Sequence, residues 1–247
     1  MFPIRDHNPS RRPAYVTYCI MALNIAVFLA MLPSYSNNQA LYDIYSQWAL
    51  VPARVSSGDG SYTFITSMFM HAGFMHLAGN MLFLWIFGDN LEDEMGHGKY
   101  LGFYLFCGVA AGVAQFMTGT TSRVPMVGAS GAIAGIMGAY LLLYPKAKID
   151  ILLIFIVFFN VFTVPAWVML GIWAVLQLFG GISATEAGGV AYMAHLGGFV
   201  AGIIVVYPRW LALGGRAYWD RTFGHPDHPE AEYRFVKTSV PGVRRRK

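Results

Sequence analysis

Long apolar runs separated by short polar clusters dominate the chain. They cover residues 14–33, 74–92, 99–118, 130–145, about 164–180 and 190–207. A bilayer core of about 30 Å is crossed by roughly 20 apolar residues in a helix, so these six runs read as membrane spans, the fourth being short. A further apolar stretch, IDILLIFIVFFNVF, occupies 149–162. It fits an interfacial segment, an extension of the fifth helix, or a seventh span.

Charge favours six. With the N-terminus inside, the inner face carries Arg5, Arg11, Arg12, Lys99, Lys146, Lys148 and every basic residue from Arg209 onward. Only Arg54 and Arg123 of the 17 Lys and Arg residues fall outside, leaving 15 within. This obeys the positive-inside rule, whereas a seventh span at 149–162 would carry the basic tail outward. The predicted architecture is an all-α polytopic membrane bundle with both termini cytoplasmic. A segment 1–13 precedes the membrane domain 14–207, and a basic tail follows at 208–247. The first outer loop, 34–73, holds Tyr42, Tyr45, Trp48 and Phe64, which suit the interface.

Composition agrees. Of 247 residues, 56% are hydrophobic and 12% charged, with a mean hydropathy of +0.48. A soluble domain of this length needs more surface charge, whereas lipid solvates an apolar exterior. The net charge of +4 therefore reflects loop placement and not a nucleic-acid partner. The first apolar run is too long for a signal peptide and lacks an A-x-A cleavage pattern. Cys19 and Cys107 both lie within apolar segments, which argues against a disulfide framework.

Polar side chains inside spans are costly in hydrocarbon and point to function. HAGFMHLAGNMLFLW begins the second span and places His76 and Asn80 four apart, on one helix face. Ser130 opens the fourth span within GASG, and His195 opens the sixth within AYMAHLGGFVAG. Counting outward from the inner ends, His76 lies roughly 24 Å up its helix, Ser130 roughly 21 Å, and Asn80 and His195 roughly 18 Å each. All four therefore fall in one layer, below the outer boundary of the bilayer.

Glycines supply the means of contact. Gly131, Gly135 and Gly138 flatten one face of the fourth helix, and Gly198 and Gly202 one face of the sixth. Such faces let helix backbones approach closely in lipid, although they are common where no chemistry occurs. Close approach here brings Ser130 within hydrogen-bond reach of His195, the contact a serine needs to become a nucleophile. No aspartate or glutamate falls in the layer, so a Ser-His dyad is the economical reading, with His195 oriented by packing. Asn80, His76 and the Ser130 backbone N–H are the candidate oxyanion donors. His71 reads as interfacial, and His97, His225 and His228 as solvated on the inner side. HPDHP is a weak metal signal, and neither metal nor cofactor is expected.

Taken together, H-x-x-x-N at His76 and Asn80, G-x-S-G at 128–131, and H-x-x-G-x-x-x-G from His195 resemble the rhomboid family of intramembrane serine proteases. The resemblance covers about 14–207. It implies a six-helix bundle, Ser130 as nucleophile, His195 as general base, and His76 and Asn80 as oxyanion donors. It also implies a water-filled cavity open to the outer face, and single-span membrane proteins as substrates in the lipid bilayer. The location expected is a bacterial inner membrane. Two features depart from the family pattern. Some members stack an aromatic residue beneath the histidine, one turn after the serine, where this chain has Ala134. Some carry a Trp-Arg pair in the first outer loop, where Trp48 here precedes Ala49.

The alternative is a rhomboid-like non-catalytic binder of transmembrane segments, which loss of the serine or histidine would mark. A transporter would place charge inside the spans, and an acyltransferase would need a carrier site; neither pattern is found. For substrate access, the fifth helix with Trp167, Trp173, Leu176 and Phe179 and the glycine-flanked loop 180–191 form the expected gate.

Overall fold

The computed structural model describes residues 2–155, 158–183 and 190–233. A strand β1 (Phe2–Asp6) precedes helix α1 (Tyr15–Met31). Three short helices fill the outer loop: α2 (Asn38–Trp48), α3 (Pro52–Ser56) and α4 (Thr63–Thr66). Then come α5 (Phe74–Met95), α6 (His97–Thr118) and α7 (Ser130–Leu143). A hairpin of β2 (Lys148–Phe155) and β3 (Phe158–Pro165) leads into α8 (Ala166–Ser183), α9 (Tyr192–Ala212) and α10 (Arg216–Thr222).

Each expected span has a helix within a few residues of its bounds. Three helical stretches, Tyr15–Ser36, His97–Thr118 and Tyr192–Ala212, are long and apolar enough to cross a membrane. A fourth follows if Thr63–Phe69 and Phe74–Met95, bent by 95°, count as one. The protein is thus an integral, multi-pass membrane protein, mostly helical.

The apolar stretch 149–162 is corrected. It is neither an extension of α8 nor a seventh helical span. Ile, Val and Phe fill it, residues that suit a pleated surface, and it folds into the β2–β3 hairpin. β1 adds antiparallel to β2, pairing Phe2 with Leu152 and Asp6 with Ile149, and completes a three-stranded sheet in the order β1-β2-β3. The all-α expectation therefore gives way to a helical bundle with a small sheet at one end. Hydropathy alone cannot separate a buried strand from a buried helix.

Polar contacts clamp that end. Asp150, 3% exposed, accepts from Arg5 Nε at 2.6 Å, His7 Nε2 at 2.9 Å and Thr163 Oγ1 at 2.6 Å. Burial opposes its ionisation, but the Thr163, His7 and Arg5 hydrogen bonds outweigh it and hold the carboxyl below the usual range. Ala231 N–H donates to the His7 carbonyl at 2.9 Å, and Lys148 meets Glu230 at 2.6 Å. Glu92 accepts from the N–H groups of Val16 and Thr17 at 2.8 Å each, placing an acid at the positive end of α1. His97 Nδ1 lies 2.5 Å from Glu92 Oε1, and His225 Nδ1 lies 2.7 Å from Glu230 Oε1.

At the other end, Arg54 organises the 34–73 loop. It donates to the Ser46 and Gln47 carbonyls at the C-terminal end of α2 (2.5 and 3.0 Å), to Tyr62 OH (2.9 Å) and to Asp59 (2.8 Å). An arginine six residues after Trp48 thus braces the loop without an adjacent Trp-Arg pair. Leu50 bridges Met126, tying this loop to the segment before α7.

The centre of the bundle is α7, buried continuously from Gly131 to Tyr140. It packs on α9 backbone to backbone. A methyl group added at Gly202 would overlap the Gly135 carbonyl oxygen, and one at Gly198 the Gly131 carbonyl oxygen. Ala111 and Cys107 of α6 press against Gly131 and Gly135 in the same way. We predict that Gly202→Ala destabilises the protein by about 1–3 kcal/mol, because the helices must part to admit the methyl. Gly171→Ala, with nothing within 4 Å of the new methyl, should be neutral or mildly stabilising. Thermal unfolding in detergent micelles compares the two; equal melting points would show the seam to be slack.

Candidate active site

The segment entering α7 is shaped by one residue. Gly128 has φ +130°, in the region that favours glycine. Its N–H donates to the Ser67 carbonyl at 2.9 Å. The turn delivers Ser130 to the first position of α7, where backbone N–H groups lack intrahelical partners.

The α7–α9 seam then sets the distance across to His195. Ser130 Oγ lies 2.7 Å from His195 Nε2. On the far side of the ring, His195 Nδ1 lies 2.7 Å from Gln177 Oε1 on α8. An amide oxygen only accepts, so Nδ1 carries the proton and donates to Gln177. Nε2 is then left as the acceptor for the Ser130 hydroxyl. Trp173, one turn before Gln177, sets its ring 5.8 Å from the imidazole and 5.9 Å from Phe199. Gln115 Oε1 accepts the Ala194 N–H at 3.2 Å, in the first turn of α9.

Orientation of His195 by packing alone was expected, and a side-chain acceptor is found as well. Gln177 and Trp173 together occupy the role that Ala134 leaves open. Of the bulky residues of the expected gate helix, Trp173 packs against His195, while Trp167, Leu176 and Phe179 are exposed. Gln177 was legible as a polar residue in an apolar helix, the signal that singled out Asn80. The expected gate loop, 180–191, lies outside the described residues at 184–189.

His76 and Asn80 approach the serine from α5. His76 Nδ1 accepts the Ala72 N–H at 3.4 Å, a long contact that favours the tautomer with Nε2 protonated. A point one bond length off the Gly128 Cα, where a Cβ would stand, lies 2.8 Å from His76 Nε2 and 3.6 Å from Ser130 Oγ. Glycine leaves this space open between the hydroxyl and the donor. Asn80 is 7% exposed, and its Nδ2 has no hydrogen-bond partner among the described residues. An unpaired buried donor of this kind costs about 1–3 kcal/mol, which a ligand oxygen would offset.

All four expected residues, His76, Asn80, Ser130 and His195, line one cavity of about 860 Å3. Its wall includes Met126, Val127 and Trp173. His71, expected at the interface, is fully buried within the protein. Its ring lies edge-on to His76 at 5.1 Å, and neither ring nitrogen has a partner among the described residues. Those residues also contain no cluster of His, Cys, Asp or Glu able to hold a metal ion.

Comparison with known proteins adds the lineage. Residues 59–211 match the family described as Rhomboid domain. The chain is 31% identical over 197 residues to the mitochondrial Rhomboid protein 1 of Saccharomyces cerevisiae, covering 78% of this chain and 52% of that one. It is 29% identical over 212 residues to the chloroplastic Rhomboid-like protein 11 of Arabidopsis thaliana, covering 82% and 68%. Over 125 residues it is 33% identical to Rhomboid protease GluP of Bacillus subtilis, covering 51% and 24%. The chain spans about half the length of the yeast relative. Mitochondrial and chloroplastic names among these relatives give no support to the bacterial inner membrane expected from the sequence. More than half of the chain falls within the matched domain, in a bundle whose helices bring a serine and a histidine together. The chain belongs to the rhomboid family.

Proposed function

We propose that this protein is an intramembrane serine endopeptidase that hydrolyses peptide bonds in or near the transmembrane segments of single-span membrane proteins. The observation that carries the reading is the 2.7 Å contact between Ser130 Oγ and His195 Nε2 inside the cavity. In this mechanism Ser130 Oγ attacks the scissile carbonyl carbon while His195 Nε2 takes its proton. The carbonyl oxygen becomes an oxyanion held by Asn80 Nδ2, His76 Nε2–H and the Ser130 N–H. His195 returns the proton to the leaving amine as the C–N bond breaks. Water, deprotonated by the same nitrogen, then hydrolyses the acyl-enzyme.

The proposed topology has six spans, α1 and α5 to α9, with 1–13 and the tail from 208 cytoplasmic. Pairing of β1 with the hairpin before α8 supports it, because an even number of crossings returns the chain to the same side. A substrate arriving sideways past α8 would displace the helix that carries Gln177 and Trp173. Access and orientation of the base are therefore linked.

Three outcomes test this reading. Ser130→Ala and His195→Ala should each abolish cleavage of a reporter containing a transmembrane segment, and the double variant should be no worse, because the two act as a unit. Persistent cleavage by folded Ser130→Ala would remove the serine from the mechanism. Binding of the reporter without cleavage by the wild type would favour a non-catalytic binder.

Asn80→Ala and His76→Ala should lower kcat more than they raise KM. Loss of one such donor costs about 2.7–4 kcal/mol, or roughly 100- to 1000-fold, and the remaining donors place the expectation at the lower end. Unchanged turnover in both variants would reduce α5 to scaffold.

For Gln177, replacement by Leu should lower kcat about tenfold, the loss of one neutral hydrogen bond of about 1.4 kcal/mol, with KM little changed. Gln177→Glu, which keeps an acceptor oxygen, should restore part of the loss. Equal defects in both variants would point to a packing role alone.

A further inference from the structure

A second cavity, of about 590 Å3, opens at the opposite end of the bundle from Ser130. It lies between the α5–α6 turn and the end of α9. Its walls include Phe103, Phe106, Val205 and Val206, and its rim holds Lys99, Arg209 and Glu94. The catalytic scheme uses none of these residues.

Polarity along the cavity is graded. Phe103 and Phe106 follow Lys99 by four and seven residues, roughly 6 and 10 Å further along α6. Val205 precedes Arg209 by four residues, about 6 Å along α9. The cations thus stand at the inner mouth, and the apolar walls run from there towards the middle of the bundle. Gly102 leaves the α6 side of the slot empty, since a methyl there would meet nothing within 4 Å.

The rim charges do not cancel. Arg209 Nε donates to Glu94 Oε1 at 2.8 Å, and Tyr144 OH donates to Glu94 Oε2 at 3.4 Å. Those contacts account for the one acid of the rim. Lys99 is exposed and has no acidic partner among the described residues. The mouth therefore carries one net positive charge at the level expected for lipid headgroups.

We infer that this groove binds one anionic phospholipid of the inner leaflet, its phosphate at Lys99 and Arg209 and an acyl chain against Phe103, Phe106 and Val205. A cationic mouth on an apolar slot matches a molecule with an anionic head and a hydrocarbon tail. Basic pockets between spans on the cytoplasmic or matrix side take such headgroups. A free phosphate would leave the slot unfilled, and a neutral lipid would leave the net charge unmatched. The assignment relies on this end facing the inner leaflet, as in the proposed topology, but not on proteolysis.

The test reads bound lipid by mass. The full chain is reconstituted into phosphatidylcholine vesicles with or without phosphatidylglycerol, extracted into mild detergent and examined by native mass spectrometry. Wild type should retain one phosphatidylglycerol and no phosphatidylcholine, and excess inorganic phosphate should not displace it. Lys99→Gln should lower the retained fraction about fivefold, the effect of one cation near a lipid surface. Gly102→Phe, which fills the slot and leaves every charge in place, should abolish retention. Equal retention of phosphatidylcholine, displacement by phosphate, or undiminished retention in folded Gly102→Phe would overturn the site. Thermal unfolding checks both variants, and if either fails to fold, the wild-type lipid comparison and phosphate competition still decide. Because the readout is lipid mass, a failure here and a failure to detect cleavage are separate results.

Discussion

The backbone seam between α7 and α9 is the contact on which the rest of the structure depends. Gly131 and Gly135 present carbonyl oxygens where Gly198 and Gly202 lack side chains. In lipid, no hydrophobic force drives helices together, so van der Waals contact at such close range must hold them. The seam starts one residue after Ser130 and three residues after His195. Its spacing therefore sets the serine–histidine distance directly. A methyl at these positions would act on the stability of the bundle and on the site at once.

The way His195 is held follows from the same environment. A carboxylate beside it would have to be stripped of water in a buried layer, which is expensive unless fully paired. Gln177 offers an oxygen that accepts the Nδ1 proton without adding a charge. Trp173, from the same helix, packs its ring against the imidazole. The histidine, carried on α9, is thus held by α8, while the serine stands on α7 and His76 and Asn80 on α5. Four separate helices must keep register around one cavity.

Both ends of the bundle are braced by polar contacts, and each brace joins distant parts of the chain. At the sheet end, Asp150 gathers Arg5, His7 and Thr163, so β1 and the hairpin close together. At the opposite end, Arg54 fastens α2 to Tyr62, and the Leu50–Met126 bridge connects the 34–73 loop to the turn at Gly128. The loop that seats Ser130 is in this way continuous with the 34–73 loop.

Much of this was legible in the sequence. Apolar run lengths located the helices, because hydrocarbon thickness fixes how many residues a span needs. Serine, asparagine and two histidines stood out, because polar groups in lipid are too costly to keep without a use. Local patterns of this kind carry one-dimensional information, and depth in a bilayer is nearly one-dimensional. Only the tertiary structure decided the rest. IDILLIFIVFFNVF became a hairpin because β1, from the far end of the chain, supplied a strand to pair with. His71 was buried by Tyr35 and His76, and Gln177 turned towards His195 and not into lipid. Rotation about a helix axis, and the partner a strand finds, depend on residues far away in sequence, which no local pattern encodes.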